Sequence, residues 1–131
     1  MEQDSYQVNV KHDKYQYWFI SSGKNGDVMK VVTMQPLLRA NRYNLAVADV
    51  DNGKLDYESI TDNGDLDQVF GTVSEIVKFF TENFPGSENS IKGNTAVKTR
   101  LYTMKVSNHL KEIKSEFELF GTTDASGNGI L

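Results

Sequence analysis

Apolar and polar residues alternate through most of the first half of the chain, which is typical of strands with one buried face. Residues 6–10 predict a short strand, and an aromatic and β-branched run over residues 14–21 predicts a longer one. The Gly-Lys-Asn-Gly segment at 23–26 supplies a turn that tolerates positive φ, and residues 27–34 return as the partner strand. These segments predict a β-hairpin preceded by a short strand.

The alternating pattern continues beyond this hairpin. Pro36 cannot donate a backbone hydrogen bond, so the second hairpin strand should end near Gln35. Residues 43–50 alternate again and are followed by Asp-Asn-Gly at 51–53, a strong hairpin sequence, after which residues 55–60 return. The first half therefore predicts an antiparallel meander of four or five strands.

After residue 61 the apolar period changes from two to 3.6, which predicts a helix. Asp65 or Asp67 is expected to cap the helix start, and Pro85-Gly86 prevents continuation past the last turn. The apolar face of this helix consists of Val69, Val73, Ile76, Val77, Phe80 and Phe84.

The second half continues with a strand predicted over residues 87–93 and a second helix capped by Asn94 or Thr95. Two apolar sets in this helix differ in phase by two residues, so a break is predicted near Ser107-Asn108. Residues 117–120 predict a last strand. The two sets are Val97, Leu101 and Met104, and then Val106, Leu110, Ile113 and Phe117.

The order of elements predicts an α+β protein in which an antiparallel meander is followed by α-β-α-β, with the helices packed on a mixed sheet. A chain of 131 residues with 38% apolar and 24% charged residues has the usual size and balance of one globular domain. We expect this domain to cover residues 1–121 and a flexible C-terminal tail to cover 122–131.

Composition narrows the classes of function. The absence of cysteine excludes disulfides and thiolate metal sites, and the chain start has no secretion signal, so a cytoplasmic protein without a membrane segment is predicted. The acidic turns at 49–56 and 62–67 do not fit a calcium loop, and His12 and His109 are isolated, so we predict no metal site.

Charge is unevenly distributed along the chain: residues 43–67 hold seven acids against Lys54, whereas residues 92–114 hold six bases against Glu112. The two segments either neutralise each other or leave the basic one for an anionic partner. Glycine before a capped helix start leaves backbone N–H groups and the positive dipole end open to phosphate or carboxylate. The candidate binding residues are Lys92, Gly93, Asn94, Thr95, Lys98, Arg100 and Tyr102.

A structural interpretation of the same segment stays open. In that interpretation Thr95 only caps the helix, Arg100 pairs with an acid of the meander, and Tyr102 is a residue at the edge of the core. The sequence has no hydrolytic triad, Walker or dinucleotide motif, so no catalytic residue is assigned and no cofactor is predicted. Nucleic-acid binding is not favoured, since the pI is 5.1.

Several short motifs resemble a known family. Tyr-Asn-Leu-Ala at 43–46, Asn-Gly-Asp at 63–65, Gly-Thr-Val at 71–73 and Gly-Asn-Thr at 93–95 followed by Thr-Arg-Leu-Tyr at 99–102 occur in this order. Together they resemble an uncharacterised family of small Bacteroidetes proteins, a domain of unknown function, and the resemblance covers about residues 5–121. Lys98 stands where that family usually has arginine, so a bidentate contact there would be weaker.

A more distant likeness concerns topology. The order meander, helix, strand, helix and strand is similar to the core of the GNAT superfamily of acyl-CoA-dependent acetyltransferases. That resemblance implies a CoA pyrophosphate at the start of the first helix, where Asp65 and Asp67 would repel it. We therefore expect a non-catalytic binding module with an anion-binding helix start. An atypical acyltransferase and a nucleic-acid-binding or toxin-type protein are the alternatives.

Overall fold

The computed structural model describes residues 5–56, 64–91, 96–113 and 129–130. Within them the chain forms a seven-stranded sheet and two helices. The strands are β1 (Asn9–Val10), β2 (Gln16–Gly23), β3 (Gly26–Pro36), β4 (Arg42–Asp51), β5 (Lys54–Asp56), β6 (Glu88–Ile91) and β7 (Gly129–Ile130); the helices are α1 (Leu66–Asn83) and α2 (Ala96–Ile113).

The predicted meander is confirmed. β2 and β3 pair from Gln16↔Thr33 to Gly23↔Gly26, and Gly26 has a φ of 82°, the positive value that the turn sequence predicted. β3 ends at Pro36, as a residue without a backbone donor requires. β1 is a two-residue strand that pairs only with β2, shorter than the sequence predicted.

The turn between β4 and β5 has the geometry that its sequence favours. Asn52 and Gly53 have φ values of 51° and 77°, so both central residues adopt the left-handed conformation of a type I′ hairpin turn. β5 follows over Lys54–Asp56, and the rest of the strand predicted up to residue 60 lies outside the described residues.

The sheet is mixed because β6 pairs with β4 in parallel, from Arg42↔Glu88 to Leu45↔Ile91. α1 connects the meander to β6. The sheet order is β1-β2-β3-β4-β6-β7, and β5 pairs with the carboxyl end of the same β4 edge that β6 joins. This arrangement confirms the α+β class and the strand predicted over residues 87–93.

α1 forms as its periodicity predicted. Five of its six predicted apolar positions are buried, and Phe84 is a half-buried C-cap whose N–H bonds the Phe80 carbonyl. Asp65 occupies the N-cap position, but its side chain makes no capping hydrogen bond, so that part of the prediction is wrong. Its carboxylate instead bonds Tyr6 and Ser21.

α2 is one continuous helix, and the predicted break near Ser107-Asn108 is wrong. The helix does not need to bury both apolar sets, because its buried stripe is largely polar. Val97 and Met104, from the first set, are exposed. The buried positions repeat at helical spacing: Thr99, Thr103, Val106, Ser107 and Leu110.

The core lies between one face of the sheet and the two helices. It combines inward side chains of β2, β3, β4 and β6 with the inner faces of α1 and α2. β7 pairs with β6 inside the segment predicted to be a tail. Residues 114–128, including the strand predicted at 117–120, lie outside the described residues, and the domain boundary at 121 stays a prediction.

Candidate functional site

The described part of the predicted binding segment belongs to the first turns of α2, which begins at Ala96, shortly after β6 ends at Ile91. β4 and β6 are parallel, so their carboxyl ends point the same way, although Ile91 is opposite Leu45 and β4 continues to Asp51. In sheets with parallel strands, ligands bind outside the carboxyl ends of those strands. Lys92, Gly93, Asn94 and Thr95 connect β6 to α2 and lie outside the described residues.

α1 begins at this end as well, since the two helices run in the same direction. Phe70 packs on Tyr102 with ring centroids 5.2 Å apart, and one turn later Ser74 Oγ donates to the Val106 carbonyl at 3.3 Å. Both helix amino termini, which are the positive ends of the helix dipoles, therefore face the same edge of the sheet.

Lys98 and Arg100, the predicted cations of α2, are not brought together. Two residues on a helix are separated by about 200° of rotation, so their side chains leave opposite sides of α2. Lys98 is half-buried and shares its side with Tyr102 and Lys105, whereas Arg100 is exposed. Burial raises the pKa of Tyr102, consistent with a ring at the edge of the core.

Arg100 belongs to a solvent-exposed stripe that we call the α2 outer face. The side chains of Val97 and Met104 are 67% and 55% exposed although both are apolar. Arg100 and Lys111 lie within the same arc of the helix and supply two positive charges. The α2 outer face comprises Val97, Arg100, Met104, Asn108 and Lys111.

The structural interpretation of the sequence predicts that Arg100 forms an ion pair with an acidic residue of the meander instead of binding a ligand. In the described part of the chain Arg100 makes no ion pair, and Asp49 binds Lys30. The acidic and basic segments do meet at another point, where Lys105 Nζ lies 3.0 Å from Asp67 Oδ1. Within the described residues, the contact between the two segments is made by Lys105 and Asp67.

A buried ion pair occupies the inner face of the sheet towards the same end. Lys30 and Asp49 are directly opposite on β3 and β4, and Nζ lies 2.6 Å from Oδ1. Their side chains are 0% and 6% exposed. Burial of two charges costs several kcal/mol unless they are paired and hydrogen-bonded, so this short contact stabilises both groups in the core.

A second polar cluster surrounds Asp65 at the start of α1. The Tyr6 hydroxyl donates to Asp65 Oδ2 at 2.5 Å, and Ser21 Oγ donates to the same oxygen at 2.6 Å. Burial and this hydrogen bond raise the pKa of Tyr6. Oδ1 of Asp65 is buried without a hydrogen-bond partner among the described residues. The carboxylate thus holds the N-terminal segment and β2 to α1.

An apolar groove of about 180 Å³ lies elsewhere, between the N-terminal segment, β2 and α1. None of the predicted binding residues lines it. Its walls are formed by Val8, Val10, Tyr17, Glu75, Ile76 and Phe79.

In residues 5–56, 64–91, 96–113 and 129–130, no group of three or more histidine and carboxylate residues is arranged to hold a metal ion. Neither described helix combines the length and the apolar character that crossing a bilayer requires.

Sequence reasoning missed Lys30 and Ser21. The period-two alternation of β3 indicates that Lys30 is buried, because Lys30 is in phase with Val32 and Met34, which face the core. The partner of Lys30 becomes visible only through the β3–β4 register, since Asp49 is 19 residues away. A charge in a strand is otherwise assigned to the solvent side.

The fold and these sites define a small α+β protein with a mixed sheet, a buried ion pair and an exposed apolar and cationic helix face. The chain belongs to a family of unknown function (DUF6934), whose model matches residues 2–129. This confirms the predicted membership of an uncharacterised family; the Bacteroidetes origin and the family motifs stay predictions. No curated protein and no solved structure gives a significant match.

Proposed function

We propose that this protein is a non-catalytic interaction module. In this proposal the α2 outer face binds a partner that presents a carboxylate or phosphate group beside apolar side chains. One observation supports it above all: α2 buries small polar residues and exposes Val97 and Met104 on either side of Arg100. Large apolar side chains grouped with a charge on a surface are typical of a binding site.

The segment that leads into α2 extends this surface in our proposal. Lys92, Gly93, Asn94 and Thr95 would place the free N–H groups of the first helical turn against the anionic group. Arg100 would bind the same group through two parallel hydrogen bonds. Lys98 and Tyr102 leave the other side of the helix, so they would contact only a partner that reaches around the helix start.

Site-specific photo-crosslinking tests the interaction surface. A photoreactive residue at Met104 is expected to give a discrete crosslinked species in extracts of the native host, and Arg100→Glu should abolish it. Leu38, which is fully exposed in the β3–β4 turn, provides the control position, because it is also a large exposed aliphatic residue. Equal crosslinking from Leu38 and Met104 would refute the proposal.

Phosphate titration tests the anionic part separately. Inorganic phosphate should shift the amide resonances of residues 93–98, whereas chloride at equal ionic strength should not. Arg100→Ala should weaken phosphate binding about tenfold, the effect of losing a hydrogen bond to a charged group. Lys54→Ala, at the start of β5, is the matched control for removal of one exposed cation.

One observation favours an acyltransferase as the second candidate: α1 links the parallel strands β4 and β6, the connection on which the GNAT likeness depends. The start of α1, however, carries the Asp65 carboxylate, which would repel a diphosphate. Calorimetric titration with acetyl-CoA decides between the two. Saturable binding would support the acyltransferase, and the absence of heat at millimolar CoA would reject it.

A further inference from the structure

The apolar groove between the N-terminal segment, β2 and α1 has a buried floor and open walls. Tyr17 and Ile76 form the floor, since they are 1% and 2% exposed. Val8 and Val10 form the wall on the N-terminal side, because residues two apart on an extended chain face the same way. At the opening, Val10 and Phe79 are 42% and 38% exposed, so water contacts apolar side chains there.

The N-terminal segment that supplies this wall is held at both ends. At one end the Tyr6 N–H donates to Thr72 Oγ1 at 2.7 Å, and the Tyr6 ring stacks on Phe19 with centroids 5.8 Å apart. At the other end β1 pairs with β2. The wall is therefore fixed before any ligand binds, so binding orders little additional chain.

The volume of the groove suits a single apolar ring. An apolar cavity of about 150 Å³ holds one benzene molecule. The groove measures about 180 Å³. Tyr17 and Phe79 lie nearly perpendicular, at 85°, with ring centroids 6.1 Å apart. A third ring beside this pair can make an edge-to-face contact with one of them.

Glu75 is the charged side chain among the residues that line the groove. It is half-buried and lies one helical turn before Phe79, so the two side chains are neighbours on α1. Among the described residues its carboxylate makes no hydrogen bond and no ion pair, not even with Lys78, three residues further along α1. A carboxylate without a partner beside an apolar opening attracts a cation and repels an anion.

We propose that the apolar groove binds a small organic cation, in which an ammonium group is joined to one apolar ring by one or two carbon atoms. The ring contacts Val10, Tyr17 and Phe79, and the ammonium pairs with Glu75 at the opening. The short spacer follows from the distance of about 5–6 Å between Cβ atoms four residues apart on a helix. The Phe79 ring adds a second attraction, because aromatic faces stabilise nearby cations.

Titration of the full chain with 2-phenylethylamine, followed by NMR, tests the proposal. The amine should shift the methyl resonances of Val8, Val10 and Ile76 with a dissociation constant of about 0.1–1 mM, as expected for a ligand of about nine non-hydrogen atoms. 2-Phenylethanol, which has the same ring and no charge, should bind about tenfold more weakly, and phenylacetate more weakly still. Equal binding of the amine and the alcohol would overturn the proposal. So would an amine that shifts none of these methyl groups at millimolar concentration.

The Glu75→Gln variant assigns the preference for a cation to this carboxylate. It keeps the size of the side chain and removes the charge, so it should bind 2-phenylethylamine about tenfold more weakly and 2-phenylethanol as the wild type does. Unchanged binding of the alcohol also shows that the groove is still folded. Glu82→Gln, the same change on an exposed residue of α1 outside the groove, should alter neither affinity. A Glu75→Gln variant that binds the amine as tightly as the wild type would refute the proposed pairing.

Discussion

Single residues of the inner sheet face determine how β3 and β4 are aligned. Lys30 and Asp49 are opposite each other, and a shift of one residue would move one of the two charges to the outer face and separate the pair. The pair therefore favours one register at the cost of desolvating two charges. Apolar residues alone, such as Val32 opposite Val47, would discriminate less between alternative registers.

Removal of one partner of this pair should destabilise the protein strongly. Asp49→Ala is expected to lower the free energy of unfolding by about 3–5 kcal/mol, because the fully buried Lys30 would lose its carboxylate partner. The double variant Lys30→Met/Asp49→Leu should unfold within about 1 kcal/mol of the wild type, or at higher denaturant. Urea unfolding followed by circular dichroism measures both. A double variant as unstable as Asp49→Ala would contradict this account.

Tyr17 should make stability depend on alkaline pH. Burial, assisted by the negative charge of Asp13, raises the pKa of Tyr17 to about 12, from an ordinary value of 10.0. The folded state therefore retains the phenol proton between about pH 10 and 12, where the unfolded state loses it. Stability that is fully present below pH 10 should fall by about 1–2 kcal/mol across this window.

Comparison of the wild type with the Tyr17→Phe variant separates the contribution of Tyr17 to this pH dependence from the contributions of the other tyrosines. The variant loses the hydrogen bond from the Tyr17 hydroxyl to the Lys14 carbonyl at 2.7 Å, so its stability should be lower at neutral pH. Its decline between pH 10 and 12 should nevertheless be shallower than that of the wild type. Parallel curves for the two proteins would exclude Tyr17 as the source.

Among the elements, α2 shows why an apolar pattern can mislead. Its buried stripe contains Thr99, Thr103 and Ser107, which an apolar periodicity does not count. Thr103 Oγ1 donates to the Thr99 carbonyl at 2.7 Å, so a small hydroxyl can be buried there with its hydrogen bond made. The apolar pattern alone therefore predicts two buried faces, whereas Val97 and Met104 of the first set face solvent.

Alanine substitutions should separate the two faces of α2. Leu110→Ala is expected to cost about 2–5 kcal/mol, since Leu110 is fully buried in the core. Met104→Ala, on the same helix, should change stability by less than about 0.5 kcal/mol. Urea denaturation of the two variants makes the comparison. A large loss for Met104→Ala would show that the α2 outer face is covered in the isolated chain and would weaken the proposed binding role.

The other elements were predictable to the extent that local chemistry determines them. α1 combines a long apolar stripe with a Pro-Gly stop, and the β4–β5 turn follows from Asn52-Gly53. The contact made by Asp65 was not predictable in this way. A side-chain cap joins Asp65 to backbone N–H groups two or three residues away, so the sequence can suggest it. The hydrogen bonds that the carboxylate makes instead come from Tyr6 and Ser21, which are distant in sequence.

At the scale of the whole molecule, the basic and the acidic segments of the chain contact each other. Asp67 and Lys105 join α1 to α2, but Asp67 is 78% exposed, so this pair contributes little to stability. The helix predicted within the candidate segment at 92–102 is present, since α2 begins at Ala96, whereas the binding role of the segment stays a prediction. What the sequence could not show was that its two cations, Lys98 and Arg100, leave opposite sides of that helix.

Trp18 gives the protein a built-in optical probe of the sheet. It is the only tryptophan in the chain, and it is half-buried in β2 between Tyr17 and Phe19, which point into the core. Period-two alternation therefore places its ring on the face of the sheet opposite the core. Indole emission moves to shorter wavelength when water is removed from the ring. The fluorescence of the native protein therefore reports how far water reaches that face of β2, before any label or substitution is introduced.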